Sequence, residues 1–343
     1  MKTRALWQAD PDLDIRVFSI HLMILAKGIC LLLLTQTIMG SSFTQVRWKN
    51  VDSLFGPLPP AIHVFRTTDS LEGRPLVAFY VNVRIKDPNL QFTIETGKGH
   101  SYTPSQYYRQ AKFPALVVNA SFFSPETGQN LNMLMKNGRL LSYNIVSLRG
   151  IGNDSALYYY PTRSALGIDK KRRMDVAWIF TDSSRRKPYA FEYNPVQAKG
   201  EFPNPRINDL DDVDWKWWKM QTAVGGGPTL IHDGEIRITS KEEQLFVGKE
   251  NESQPRTAMG YTPNGHLIIL VIQGRSPGVS EGGTLFQEAK ILRSLGCYKA
   301  LNLGGGGSAC LLLNGRETIK PSDRDGERPV PSVFLIREGA GLK

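Results

Sequence analysis

Leu267-Ile268-Ile269-Leu270-Val271-Ile272 runs into Gln273-Gly274-Arg275, and further on Lys299-Ala300-Leu301-Asn302-Leu303 runs into Gly304-Gly305-Gly306-Gly307-Ser308. Between these two apolar runs, Thr284-Leu285-Phe286-Gln287 has the form of a capping box, with Gln at the third helical position. Leu285, Ala289, Leu292 and Leu295 recur at helical spacing, and Gly296 stops the helix. Strand, helix, strand with short links predicts a right-handed parallel crossover. Both strands then end at the same sheet edge, where ligands of parallel sheets bind. Consecutive glycines carry the largest backbone entropy loss on folding. Directly after a strand they read in two ways: a flexible turn, or a backbone cradle whose N–H groups hold something closely.

Outward from this unit the chain reads as short strands. Residues 61–66, 76–85 and 90–95 are strands, the last two joined by Asp87-Pro88-Asn89. Val77, Phe79, Val81 and Val83 alternate with Ala78, Tyr80, Asn82 and Arg84, as in a half-buried strand. Thr103-Pro104-Ser105 opens a short helix that ends at Gln110, with Pro in its first turn. Residues 113–119 form a buried strand, and residues 133–143 a hairpin turning at Asn137-Gly138. The basic run Lys170-Lys171-Arg172-Arg173 falls in a second hairpin turn. The acidic and tryptophan-rich run from Asp209 to Trp218 is a helix start, an insertion, an aromatic platform for a sugar ring or core packing. The fold class is α+β: mixed, largely antiparallel twisted sheets with a C-terminal strand-helix-strand parallel crossover.

The chain has 343 residues, 41% hydrophobic and 22% charged, which suits a soluble globular protein of one or two domains. Its first forty residues differ. The apolar run from Ile20 to Leu34 is interrupted by His21, Lys27 and Gly28, and its unbroken part is too short to span a bilayer. With Lys27 as the charged flank and Gly40, Ser41 and Ser42 beyond, residues 1–40 read as a signal peptide or N-terminal extension, with Met23 as an alternative start. A membrane anchor or a buried helix is the other reading. No cysteine follows the apolar run closely, which argues against a lipoprotein. A single domain occupies residues 45–343, and the expected location is secreted or periplasmic.

Formal net charge is +10, of which residues 1–40 contribute +1, so the remainder keeps +9 and suits an anionic ligand. No zinc-knuckle, helix-turn-helix or RNA-recognition signature accompanies that charge, so no nucleic-acid partner is read from it. Cys30 lies in the signal-like run, while Cys297 and Cys310 flank the last strand and glycine loop, where a disulfide would join them. No Cys/His spacing forms a zinc site.

Several apolar strands end in polar motifs. Leu116-Val117-Val118 runs into Asn119-Ala120-Ser121-Phe122-Phe123, a second glycine run is Gly225-Gly226-Gly227-Pro228, and Pro255-Arg256-Thr257-Ala258 precedes the strand ending in Gln273-Gly274-Arg275. Two arginines and a glycine-rich loop at one sheet edge would hold an anion such as phosphate.

Asn-x-x-Phe-Phe, Gly-Gly-Gly-Pro, Pro-Arg-Thr-Ala, Gly-Arg and Asn-Leu-x-Gly-Gly-Gly-Ser occur in this order, and in this the chain resembles the phosphodiester glycosidase family over residues 76–338. The resemblance implies an exported hydrolase. It would cleave the bond between a sugar's anomeric carbon and a phosphate, in N-acetylglucosamine-1-phosphodiester-like substrates or envelope glycoconjugates. No cofactor or metal is read from the sequence, and no stable membrane insertion is expected once a signal is removed. Catalytic roles fall on Arg256, Asn119 and Arg275, and substrate-binding roles on Gly305, Gly306, Gly307, Ser308, Thr257, Gln273, Phe122 and Gly226. The family loop usually reads Asn-Leu-Asp-Gly-Gly-Gly-Ser-Ser, and the strand before Gly-Arg often ends in Asp. Here Gly304, Ala309 and Gln273 stand at those Asp, Ser and Asp positions. Glu281 is the carboxylate read into the missing catalytic role, with Asp233 as the other choice. A relative that binds sugar phosphates without cleaving them is the alternative function.

Overall fold

Alternation within Leu267–Ile272 divides its side chains between two cores, and that division organises the molecule. The structure is a computed structural model that describes residues 46–339, apart from 151, 183–185 and 195–214. The signal-like stretch and the acidic run 209–214 lie outside the described residues. In chain order the main strands are β1 (Ile62–Thr67), β2 (Ala78–Arg84), β3 (Leu90–Thr96), β4 (Leu116–Asn119), β5 (Leu134–Lys136), β6 (Arg139–Ser142), β7 (Arg163–Ile168), β8 (Met174–Asp182) and β9 (Lys187–Phe191). They continue with β10 (Trp215–Trp217), β11 (Thr222–Gly225), β12 (Thr229–His232), β13 (Arg256–Tyr261), β14 (His266–Ile272), β15 (Lys299–Asn302), β16 (Leu311–Leu313) and β17 (Ser332–Glu338). The helices are α1 (Pro104–Gln110), a single turn at Ser240–Glu243, and α2 (Leu285–Ser294).

Among the described residues three large sheets result, beside two two-stranded ones. The first runs β1-β2-β14-β13-β15-β12 with a two-residue strand at each edge, the second β10-β9-β8-β7-β11-β5-β6, and the third β16-β4-β17-β3 with one edge strand. The α+β character stands: antiparallel sheets dominate and helices are few. The two strands of the last unit lie in one sheet but are not neighbours. β13 lies between β14 and β15, antiparallel to both, with Ala258 opposite Leu270 on one side and Asn302 on the other. The short turn after Tyr261 lets β13 and β14 close as a local hairpin, so β14's neighbouring edge is taken before β15 arrives. β14 and β15 nonetheless point the same way and end at one edge of the sheet.

Leu267, Ile269 and Val271 face a central core shared by all three sheets, with Val81, Leu116, Val118, Leu166, Val224 and Leu311. Ile268, Leu270 and Ile272 face a second core beneath α2, with Leu285, Ala289 and Leu292. The capping box forms, with the Thr284 hydroxyl accepting from the Gln287 amide and the Gln287 side chain accepting from the Thr284 amide. A smaller core lies between α1 and the outer face of the third sheet. β2 is buried on both faces through Ala78–Val81 rather than half-buried, because Tyr80 stacks on Phe65 at 4.6 Å in the second core. Strand β4 begins only at Leu116; Phe113 lies outside it and is exposed. The tryptophan run splits. Trp218 is buried and donates to Asp175, while Trp217 is half-exposed with Lys187 and Lys219 over its ring. Cys297 and Cys310 are separate buried thiols, so the disulfide is absent. Cys297 belongs to the core beneath α2 and Cys310 to the core against α1.

Candidate active site

Four strand ends meet at one cavity of about 580 Å³. β4 delivers Ser121, Phe122 and Phe123; β13 begins at Arg256; β14 leads to Arg275; β15 leads to the glycine loop, Gly304 to Gly307, and Ser308. Phe246, Val247, Lys249, Glu252, Gln254 and Arg328 complete the lining. The cavity thus combines cationic side chains and a glycine-rich backbone with the aromatic rings of Phe122, Phe123 and Phe246.

The glycine loop is shaped by close approaches. A Cβ at Gly305 would lie 2.7 Å from the Pro255 carbonyl oxygen, and Gly306 has φ +61° with Arg275 Nη2 3.1 Å from its would-be Cβ. Both positions exclude ordinary side chains for those reasons. The loop's amides are partly committed. Gly304 N donates to Ala120 O at 3.1 Å, Gly306 N to Pro255 O at 2.9 Å, and Ser308 N to Gly305 O at 3.2 Å. The Gly306 amide therefore holds the loop against β13 and does not face a ligand. Gly304 has room for a Cβ only at 3.1 Å from Ser121 O and 3.3 Å from Ala120 O.

Asn119 stands behind this loop and does not line the cavity. Its Nδ2 donates to the Gly304 carbonyl, and its Oδ1 accepts from Thr257 Oγ1 at 2.9 Å and Cys310 N at 3.0 Å. It ties β4, β13 and the loop together. Thr257 is buried in the same tie.

Arg256 does line the cavity, though it is 2% exposed. Its Nε donates to Gly283 O and its Nη2 to Glu252 O, both at 2.9 Å, and its guanidinium lies 5.4 Å from the Phe246 ring centroid. Burial pulls its pKa down, opposed by the charges of Glu288 and Glu252. Glu288, on α2, is fully buried, and neither carboxylate oxygen has a hydrogen-bond partner. Burial raises its pKa to about 8, with Arg256 pulling the other way. Arg275 is half-exposed, at φ 56°, and donates from Nε and Nη2 to Gln254 Oε1 at 3.2 and 3.0 Å. Arg328 grips Asp323 through two bonds, at 2.7 and 3.0 Å.

Of the residues singled out from sequence, Arg256, Arg275, Phe122, Gly305, Gly306, Gly307 and Ser308 come together at the cavity. The others sit elsewhere. Gln273 accepts from the Lys320 amide at 3.0 Å, and Gly226 packs where a Cβ would lie 2.4 Å from Asn302 O. Glu281 does not line the cavity; its carboxylate is 3.6 Å from Arg74 Nη1. Asp233 belongs to a separate cluster with Glu192 and His232 whose ligand atoms lie within 4.8 Å. There Lys299 Nζ, 2.8 Å from Glu192 Oε1, already supplies the positive charge. Sequence reasoning missed Arg328, Asp323, Lys249, Glu252 and Phe246. They stand on loops, where no periodicity marks which way a side chain points.

Residues 182–337 match the phosphodiester glycosidase family, a stretch that holds every cavity residue except those following β4. The chain is 27% identical over 238 residues to mouse N-acetylglucosamine-1-phosphodiester alpha-N-acetylglucosaminidase, covering 65% of this chain and 37% of that protein. It thus spans about a third of the length of this relative. A solved protein of Synechocystis, of unassigned function, superposes with TM-score 0.60 at 16% identity, over 84% of this chain and 63% of the other. The catalytic domain of the zebrafish N-acetylglucosamine-1-phosphodiester alpha-N-acetylglucosaminidase superposes with TM-score 0.53 at 19% identity, over 86% and 89%. These superpositions speak for the fold, while the ordered motifs and the family match speak for descent. The chain thus resembles the phosphodiester glycosidase family, whose model its residues 182–337 match.

Proposed function

We propose that the protein is an exported hydrolase of glycosyl phosphodiesters, acting on the bond between an anomeric carbon and phosphate. The observation that carries this is the convergence of Arg256, Arg275 and Arg328 with a glycine loop on one cavity that is also lined by aromatic rings. Phosphate is a good leaving group, so such a site needs no strong general acid. It needs cations to hold the phosphate, groups that stabilise an oxocarbenium-like transition state and a means of activating water. In this reading Arg275 and Arg328 meet the phosphate from solvent, Arg256 adds a fixed buried charge, and Ser308 and the Gly305 and Gly307 amides meet oxygens. Asn119 acts through the loop it holds. Phe122 and Phe246 take the less polar face of the sugar. Export is supported by the signal-like residues 1–40.

Gly304, where the family usually has Asp, favours a second reading, a relative that binds sugar phosphates without cleaving them. Incubating purified protein with a panel of N-acetylglucosamine-1-phosphodiesters separates the two. The hydrolase reading expects equimolar free sugar and phosphomonoester. Binding by calorimetry with no release over days favours the second.

A further inference from the structure

Cleavage at an anomeric carbon needs a base for water, and the cavity offers a single carboxylate. We propose that Glu252 is that base; the proposal rests on the hydrolase reading above. Among the described residues, Glu252 is the only acid lining the cavity. The neighbouring acids are otherwise engaged: both oxygens of Asp323 accept from Arg328, Glu281 faces Arg74, and Glu288, on α2, is fully buried. Glu252 has its backbone fixed and its carboxylate free. Its carbonyl accepts from Arg256 Nη2 at 2.9 Å and its amide donates to Lys249 O at 3.1 Å, whereas among the described residues no hydrogen bond or ion pair engages its side chain. The same guanidinium that lines the cavity therefore fixes where Glu252 stands.

The segment that carries it is strained. Gln244 and Phe246 have φ of 52° and 59°. A bulky aromatic in the left-handed region persists only where its surroundings over-determine it. The Phe246 ring is held edge-on by Phe122 at 5.7 Å and lies under Arg256, and its carbonyl accepts from the Lys249 amide at 2.8 Å. Successive turns thus lead from the strained aromatic to Glu252.

In the step this supports, the Glu252 carboxylate takes one proton from water as the water oxygen bonds to the anomeric carbon. The bonding pair of the carbon–oxygen link leaves with the phosphate. The products are a free sugar and a phosphomonoester dianion, and Glu252 then returns its proton to solvent.

The test compares wild type with Glu252→Gln on N-acetylglucosamine-1-phosphodiesters, with N-acetylglucosamine-1-phosphate as the binding probe. We expect kcat to fall at least about 100-fold, KM and probe affinity to change less than about threefold, and the acid limb of the pH–rate profile to disappear. Wild-type kcat and pH profile in the variant would overturn the assignment and leave the hydrolase reading standing. No turnover by wild type on any substrate would overturn both.

Discussion

Asn119 shows what a residue can do for a site that it does not enter. Its amide joins the Gly304 carbonyl, Thr257 and the Cys310 amide, all buried. Asn119→Ala strands these partners, and urea unfolding should show a loss of about 2–4 kcal/mol. From sequence, an amide after an apolar strand invites a ligand role, because a loop tie and a sugar contact ask for the same residue type. Glu288 carries a different consequence. Its folded pKa of about 8 exceeds the ordinary value near 4.5, so the folded chain keeps a proton that the unfolded chain has released. Its stabilising contribution is complete below that ordinary value. It falls as pH rises toward 8, by up to about 1.4 kcal/mol per pH unit. Melting curves of Glu288→Gln should match wild type near pH 4, then lie above it by a margin that widens to pH 8. Parallel curves throughout would remove the buried acid as the cause.

At the scale of elements, periodicity announced the strands and capping chemistry announced α1 and α2. What it withheld was partnership. An apolar run such as Leu267–Ile272 is equally suited to a parallel or an antiparallel neighbour, and only the turn after β13 decides. The loops that complete the cavity lining were illegible for a related reason: Phe246 and Glu252 are placed by αL turns and by the Arg256 side chain, not by any repeat. Two predictions belong here. Thr284→Ala removes the side-chain half of the α2 cap and should lower stability by about 1 kcal/mol. Gly306→Ala forces a side chain into φ +61° beside Arg275. It should lower affinity for N-acetylglucosamine-1-phosphate in calorimetry by more than it lowers the melting temperature.

Across the whole molecule, one side chain joins two sheets. Glu243 is 0% exposed and accepts from the Ser164 amide and hydroxyl and Trp178 Nε1 of the second sheet, from the Thr229 amide of the first, and from Thr239 Oγ1. Glu243→Ala should cost about 3–5 kcal/mol in urea unfolding, far more than any cavity variant proposed above. The arrangement of β13, β14 and β15 also fixes a direction for the molecule. All three meet the cavity at one edge of their sheet. The turn joining β13 to β14, closed by Thr262 Oγ1 accepting from the His266 amide, lies six strand residues away, roughly 20 Å. A tether or reporter domain spliced in between Pro263 and Asn264 would therefore anchor the protein to a bead or surface by its far end. The cavity edge would then face the bulk solution, open to molecules too large to diffuse into a crowded support.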